Sequence, residues 1–245
     1  MLLMAKWAER QYDFEQAQRF YHDFYKQYPR ASEAKKALYN AAVFAELLEM
    51  NKIAFSLYDT YLKEAKPSRE ETRAVMISIA KIWRKLGHWG KMTATYRALI
   101  QGSHRLDEKL NYLGEMARQY EKGGKIAEKA AILTEILRMS EGMAKFGIAA
   151  PYVAEAKLQA IFKQKEKYAA IKLRFPPEDL IYLLKRKEKG LAKLAAAYDA
   201  VEAVGVPDWG VAALFEKSEA YDEFVRAYRT LQIPGKYQGE ERTEI

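Results

Sequence analysis

The chain has 245 residues, 49% hydrophobic and 30% charged, with a formal net charge of +8. This balance is that of a folded globular protein and leaves room for one or two domains. The complete lack of cysteine excludes disulfides, thiolate nucleophiles and cysteine-based zinc sites.

Gly (13) and Pro (7) are scarce, while Ala, Leu, Lys, Glu and Tyr dominate. Ala and unbranched side chains lose little freedom in a helix, and no Val/Ile/Thr-rich runs mark strands. The expectation is an all-α protein. No stretch approaches 18 uninterrupted apolar residues, so no transmembrane helix is expected. The start, MLLMAKWAERQYDF, carries no cleavage-site pattern and falls within a structural unit, so any export signal is expected upstream of Met1.

Four segments align on each other. Ala5, Ala42, Ala80 and Ala117 form one column at spacings of 37, 38 and 37. Three positions later stand Ala8, Ala45, Trp83 and Tyr120; sixteen positions after the first column come Tyr21, Tyr58, Tyr96 and Leu133. Four positions before it lie Met1, Leu38, Met76 and Leu113. Each unit reads as a helix pair in which the small residue admits close approach and the second helix supplies an aromatic filler. Breaker-type residues fall between the two helices: Asp13, Asn51, Gly87 and Gly123–Gly124. Pro29 and Pro67 follow the second helices of the first two units.

This pattern resembles the tetratricopeptide repeat. The likeness lies in the small residue of the first helix, in Leu86-Gly87-His88-Trp89, in Ala17 and Ala54 opening second helices, in the Tyr column and in the closing Pro. It implies an α–α superhelix of about four pairs: 1–30, 31–67, 68–103 and 104–147. Two departures stand out: a period nearer 38 than the family's 34, and Met92 and Lys129 where a small residue belongs.

After Gly147 the register is lost. Residues 148–235 are expected to form a C-terminal helical region, with 236–245 a frayed tail. One long helix is predicted from Pro151 to Arg174, broken by Phe175-Pro176-Pro177. A second, from about Glu178 to Val204, repeats Leu180, Leu184, Leu191, Leu194, Tyr198 and Val201 on one face. Gly205 and Pro207 end it. A last helix over about 208–231 is expected to bury Ala212, Phe215, Tyr221, Phe224, Val225 and Tyr228. The Lys-rich helix after proline, the Ala-Tyr-Asp-Ala-Val end, the Pro-Asp-Trp turn and the Ala-Ala-Leu-Phe helix resemble the C-terminal helices of delta-proteobacterial envelope tetratricopeptide proteins. Some of these serve gliding motility or polysaccharide export. That resemblance implies a periplasmic scaffold.

No catalytic frame is visible. His22, His88 and His104 share no metal-ligand spacing, and no phosphate-binding glycine loop or Gly-x-Ser-x-Gly occurs. Glu70-Glu71 and Glu178-Asp179 sit where helices begin, and the helix dipole explains them. The expectation is no enzyme, no cofactor, no metal and no small-molecule substrate. Residues 157–193 hold eleven Lys or Arg against four Asp or Glu, which places +7 there. Two readings stand: a patch for nucleic acid or an anionic surface, or a solvated face over the Leu stripe.

In a tetratricopeptide array the first helices line the inner surface. Positions one after the Ala column are Lys6, Val43, Lys81 and Arg118; further inner positions are Tyr39, Asn40, Ile77, Arg84, Lys85 and Asn111. Lys, Arg and Asn among Tyr and Ile suit an acidic or carboxylate-bearing peptide. The expected role is therefore a protein-binding scaffold, with self-association as the alternative.

Overall fold

The computed structural model describes residues 1–235; the tail predicted over 236–245 lies outside them. Among the described residues there are eleven α-helices, one 3-10 turn and no strand, so the all-α expectation holds. The chain divides into two compact units. The first holds Met1–His104 with Arg118–Lys125, and the second holds Arg105–Ala117 with the residues from Ile126 onward.

In the first unit, α1 (Leu2–Arg10), α3 (Ala34–Leu47) and α5 (Arg69–Lys85) are first helices. The second helices are α2 (Phe14–Gln27), α4 (Asn51–Glu64) and α6 (Trp89–Gln101). The last part of α7 (Leu106–Lys122) also belongs here. Each helix packs on the next in sequence from α1 to α6. Ala5, Ala42 and Ala80 are fully buried, and Tyr21, Tyr58 and Tyr96 fill the spaces beside them. Both columns behave as their spacing predicts.

The turns explain the tight pairing. Tyr12, Glu49, Gly87 and Gly124 all have positive φ, at 59°, 59°, 75° and 69°. In each turn the next residue's N–H returns to the carbonyl five residues back: Asp13 to Ala8, Met50 to Ala45, His88 to Trp83 and Lys125 to Tyr120, all 2.8–2.9 Å. The positive-φ residue itself donates three residues back, to Glu9, Glu46, Arg84 and Glu121. This is a Schellman closure repeated four times. Its last residue is already the N-cap of the second helix at Asp13, Met50 and His88. Asp13 alone of these three caps with its side chain, accepting from the Gln16 N–H at 3.1 Å. Asn51, expected in the turn, is instead the first residue of α4. Helix α5 opens with a capping box, in which Ser68 accepts from the Glu71 N–H and Glu71 accepts from the Ser68 N–H. That accounts for Glu70-Glu71 without any catalytic role.

The second unit holds the start of α7, then α8 (Ile126–Met139), α9 (Ala150–Ala169), α10 (Pro177–Glu202) and α11 (Pro207–Arg229). Ala154 lies 37 residues after Ala117 (154 − 117) and is fully buried. The small-residue column therefore runs one helix beyond the point where the sequence register appeared to end. Close approach is built in: a Cβ on Gly114 would lie 2.0 Å from the Tyr152 ring, and the Tyr152 hydroxyl bonds Glu115.

Three expectations are corrected. The helix predicted from Pro151 to Arg174 stops at Ala169. Its end is closed by Lys187, whose ammonium takes the carbonyls of Tyr168 (3.5 Å) and Ile171 (3.2 Å). Lys187, read as part of a solvated lysine face, is only 1% exposed. It sits on the Leu180–Val201 stripe, bonds Glu223 at 3.1 Å and lies 4.2 Å from the Tyr168 ring centre. On α11 the burial is reversed: Phe215, Tyr221, Val225 and Tyr228 are exposed, Ala212 and Phe224 are half-buried, and Gly210, Ala213 and Ala220 face inward. On that face Tyr168 donates to the Ala220 carbonyl at 3.0 Å, a main-chain oxygen that small side chains leave accessible.

Candidate functional site

The first helices of the first unit carry a hydrogen-bonding device that repeats with the array. Tyr21 donates to Glu9 at 2.7 Å, and Tyr58 donates to Glu46 at 2.8 Å. Both residues of the pair are displaced by 37 (58 − 21; 46 − 9). Burial, reinforced by the carboxylate, pushes the Tyr21 hydroxyl up to about 12; the same causes raise Tyr58 further. Each tyrosine therefore stays a neutral donor and holds a carboxylate on the first helix of its pair. In the next unit the equivalent position is Arg84, which donates to the buried Gln119 at 2.9 Å. The column is thus acid at Glu9 and Glu46, base at Arg84 and acid again at Glu121.

Beside the first of these pairs a concavity of about 350 Å³ is lined by Leu2, Lys6, Glu9, Tyr21, Lys36 and Asn40, with Glu33 and Ala37 completing it. It brings together two of the predicted residues, Lys6 and Asn40. Lys6 is exposed and Asn40 half-buried. Ser32 holds the Glu33 carboxyl below its ordinary range by donating to it, with a smaller contribution from Lys6. Its charged lining is two lysines, Lys6 and Lys36, with two glutamates, Glu9 held by Tyr21 and Glu33 capped by Ser32.

The other predicted positions fall out differently. Tyr39 is a packing residue, with its ring 5.3 Å from Tyr61 and 6.3 Å from Tyr58. Val43 is exposed, while Ile77 and Lys81 are half-buried. Lys85 pairs with Glu49 at 3.1 Å. Arg118 is exposed on the first unit's share of α7, whereas Asn111 belongs to the second unit. The sequence reading missed Glu9, Glu46 and Lys36. The 37-residue spacing of Glu9 and Glu46 was the signal that could have found the first two.

In the second unit, a cavity of about 700 Å³ is lined by Lys172, Arg174, Lys187 and Arg226 with Glu223 and Phe175 among its walls. Three cations of the basic 157–193 segment are paired: Lys165 with Glu216, Arg174 with Asp179 and Lys187 with Glu223. Lys185, Arg186, Lys189 and Lys193 on α10 are exposed. Among the described residues, no three His, Asp or Glu side chains come together as metal ligands. No helix there is long and apolar enough to cross a membrane.

The array of Schellman-closed helix pairs with a small-residue column defines a helical repeat of tetratricopeptide type. The sequence matches no protein-family model and no curated protein. Among solved structures, the chain is similar to the C-terminal part of a TPR repeat-containing protein from Cytophaga hutchinsonii. The identity is 12% and the TM-score 0.33, over 94% of this chain and 96% of that one. The repeat assignment stands on the helix-pair geometry of this chain.

Proposed function

We propose that the protein is a non-catalytic scaffold that binds an acidic peptide segment along the first helices of its first unit. The observation that carries this reading is the concavity where Lys6 and Lys36 flank Asn40 over the Tyr21–Glu9 pair. Fixed polar groups offer directional bonds to a backbone, and the two lysines favour carboxylates. Lys81, 38 positions after Val43 and half-buried on α5, extends the positive charge along the same series.

A peptide library panned on the protein is expected to return acidic sequences. Lys6→Glu with Lys36→Glu should weaken their binding by about tenfold or more, at unchanged helical circular dichroism. Unaltered affinity in that double variant removes the groove as the site. Adding Lys81→Glu with Arg118→Glu then asks how far along the array the contact runs.

The envelope setting implied by the C-terminal resemblance is part of this proposal. Fractionation of cells making the full-length gene product tests it, and recovery with the cytoplasm would overturn it. A second reading rests on the exposed Lys185, Arg186, Lys189 and Lys193: an anionic surface or nucleic acid bound by α10. Its mark would be binding that falls steeply with salt.

A further inference from the structure

Helix α11 has two apolar faces. One, through Ala213 and Ala220, is buried against its own unit. The other carries Val211, Leu214, Phe215, Tyr221, Val225 and Tyr228, all exposed, with Val211 at 67% and Phe215 at 62%. A surface helix ordinarily presents polar residues to solvent. On this one six large apolar side chains share the solvent side with the exposed charges of Asp208, Glu219, Asp222, Arg226 and Arg229.

The outer face has a heptad order. Val211, Ser218 and Val225 are spaced by seven, and so are Leu214, Tyr221 and Tyr228. Two interleaved series three and four residues apart form a coiled-coil seam of about 25 Å. The seam is nearly symmetric about exposed Ser218: valines stand seven positions to either side. Laid antiparallel on a second α11, Val211 lies level with the partner's Val225 and Ser218 with the partner's Ser218, while Leu214 lies within one residue of the level of the partner's Tyr221. The small side chain falls at the crossing, where two helices approach most closely.

Charge selects the same direction. Asp208 and Arg229 are both exposed at opposite ends of the helix, on the same side of the seam. Antiparallel pairing puts Asp208 beside the partner's Arg229 twice over. Parallel pairing would carry the two copies of each residue to opposite sides of the seam and form neither ion pair. We infer that the outer face of α11 is a homodimer interface, in which two copies of this chain pair antiparallel about Ser218.

A contact confined to one helix face is smaller than a standard interface, so the dissociation constant should be on the order of 10 µM. The cysteine-free sequence allows a direct geometric test. Helix axes about 8–10 Å apart, with Cα atoms about 2.3 Å from each axis, bring the two crossing Cα atoms within disulfide range. Under mild oxidation Ser218→Cys should therefore form a covalent dimer. Val211→Cys and Val225→Cys should each form little alone but cross-link when mixed. Sedimentation velocity should show the wild type associating with concentration, and Leu214→Asp with Val225→Asp staying monomeric with unchanged circular dichroism.

Self-linking by Val211→Cys alone would mean parallel pairing and overturn the inference. So would Ser218→Cys reacting no faster than a cysteine at exposed Ser56 on α4. A wild type that remains monomeric to about 100 µM would assign the face to a different protein and overturn it equally.

Discussion

Lys187 is the most exacting test of how the second unit holds together. Its ammonium is buried yet fully engaged, by Glu223 at 3.1 Å, by the Ile171 carbonyl at 3.2 Å and by the Tyr168 ring at 4.2 Å. Lys187→Met keeps the stem volume and removes the charge. The Ile171 carbonyl left without a donor costs about 1–3 kcal/mol, the lost bond to Glu223 about 1.5–3 kcal/mol and the lost ring contact about 1–2 kcal/mol. Relief of the buried cation's desolvation, of several kcal/mol, works the other way. Glu223, whose side chain is 28% exposed, can turn to water. The net expectation is a loss of about 2–3 kcal/mol. Glu223→Leu should cost more, about 3–5 kcal/mol, because it strands a charge that cannot reach water. Trp209 is the second unit's own tryptophan, the others being Trp7, Trp83 and Trp89. Urea unfolding followed by Trp209 fluorescence, with those three changed to Phe, therefore reports on this unit. If Lys187→Met is as stable as the parent, or if Glu223→Leu is the milder change, the ammonium does not close the end of α9.

Other tests address the repeat itself. At φ 75° Gly87 occupies the left-handed position of its turn, so Gly87→Ala should cost about 1 kcal/mol or somewhat more in chemical unfolding; Glu49→Gly, at φ 59° in the preceding repeat, should stabilise by a similar amount. Gly114→Ala drives a methyl into the Tyr152 ring, which Glu115 holds by its hydroxyl; a loss of about 2–3 kcal/mol is expected, and on a Tyr152→Ala background, which removes the ring carbons that the methyl meets, the Gly114→Ala penalty should shrink. Desolvation, with Lys26 nearby, lowers the His22 pKa below its usual value. The unfolded chain then binds the extra proton first, so stability should fall as pH drops through about 6.5 and towards the folded pKa. In His22→Gln that acid-side slope, read from urea midpoints between about pH 5 and 8, should flatten.

Much of the fold was legible because its determinants are local or strictly periodic. A column of alanines at 37 or 38 residues, tyrosines sixteen positions later and a glycine at Gly87 state a helix pair, and the burial of Ala5, Ala42 and Ala80 repeats it. The turn geometry was only half legible: Tyr12 and Glu49 take the same left-handed conformation as Gly87 and Gly124 without announcing it. The candidate site was less so. Counting from the alanine column found Lys6 and Asn40, but it also returned Tyr39, whose ring is spent on Tyr58 and Tyr61.

Sequence alone determined that this chain is helical, that its helices pair, and where the pairs turn, because each follows from spacing and backbone chemistry within a few tens of residues. Tertiary structure decided what spacing leaves degenerate. Helix α11 is apolar on two sides, and only its neighbours choose which is buried; the small residues form the buried side, where the Tyr168 hydroxyl reaches the Ala220 carbonyl. Lys187 reads like any lysine of a solvated face until α9 ends against it and the Ile171 carbonyl takes its ammonium as donor. The outward seam on α11 exists for the same reason: close packing took the small face, and the large side chains were left to find a partner elsewhere.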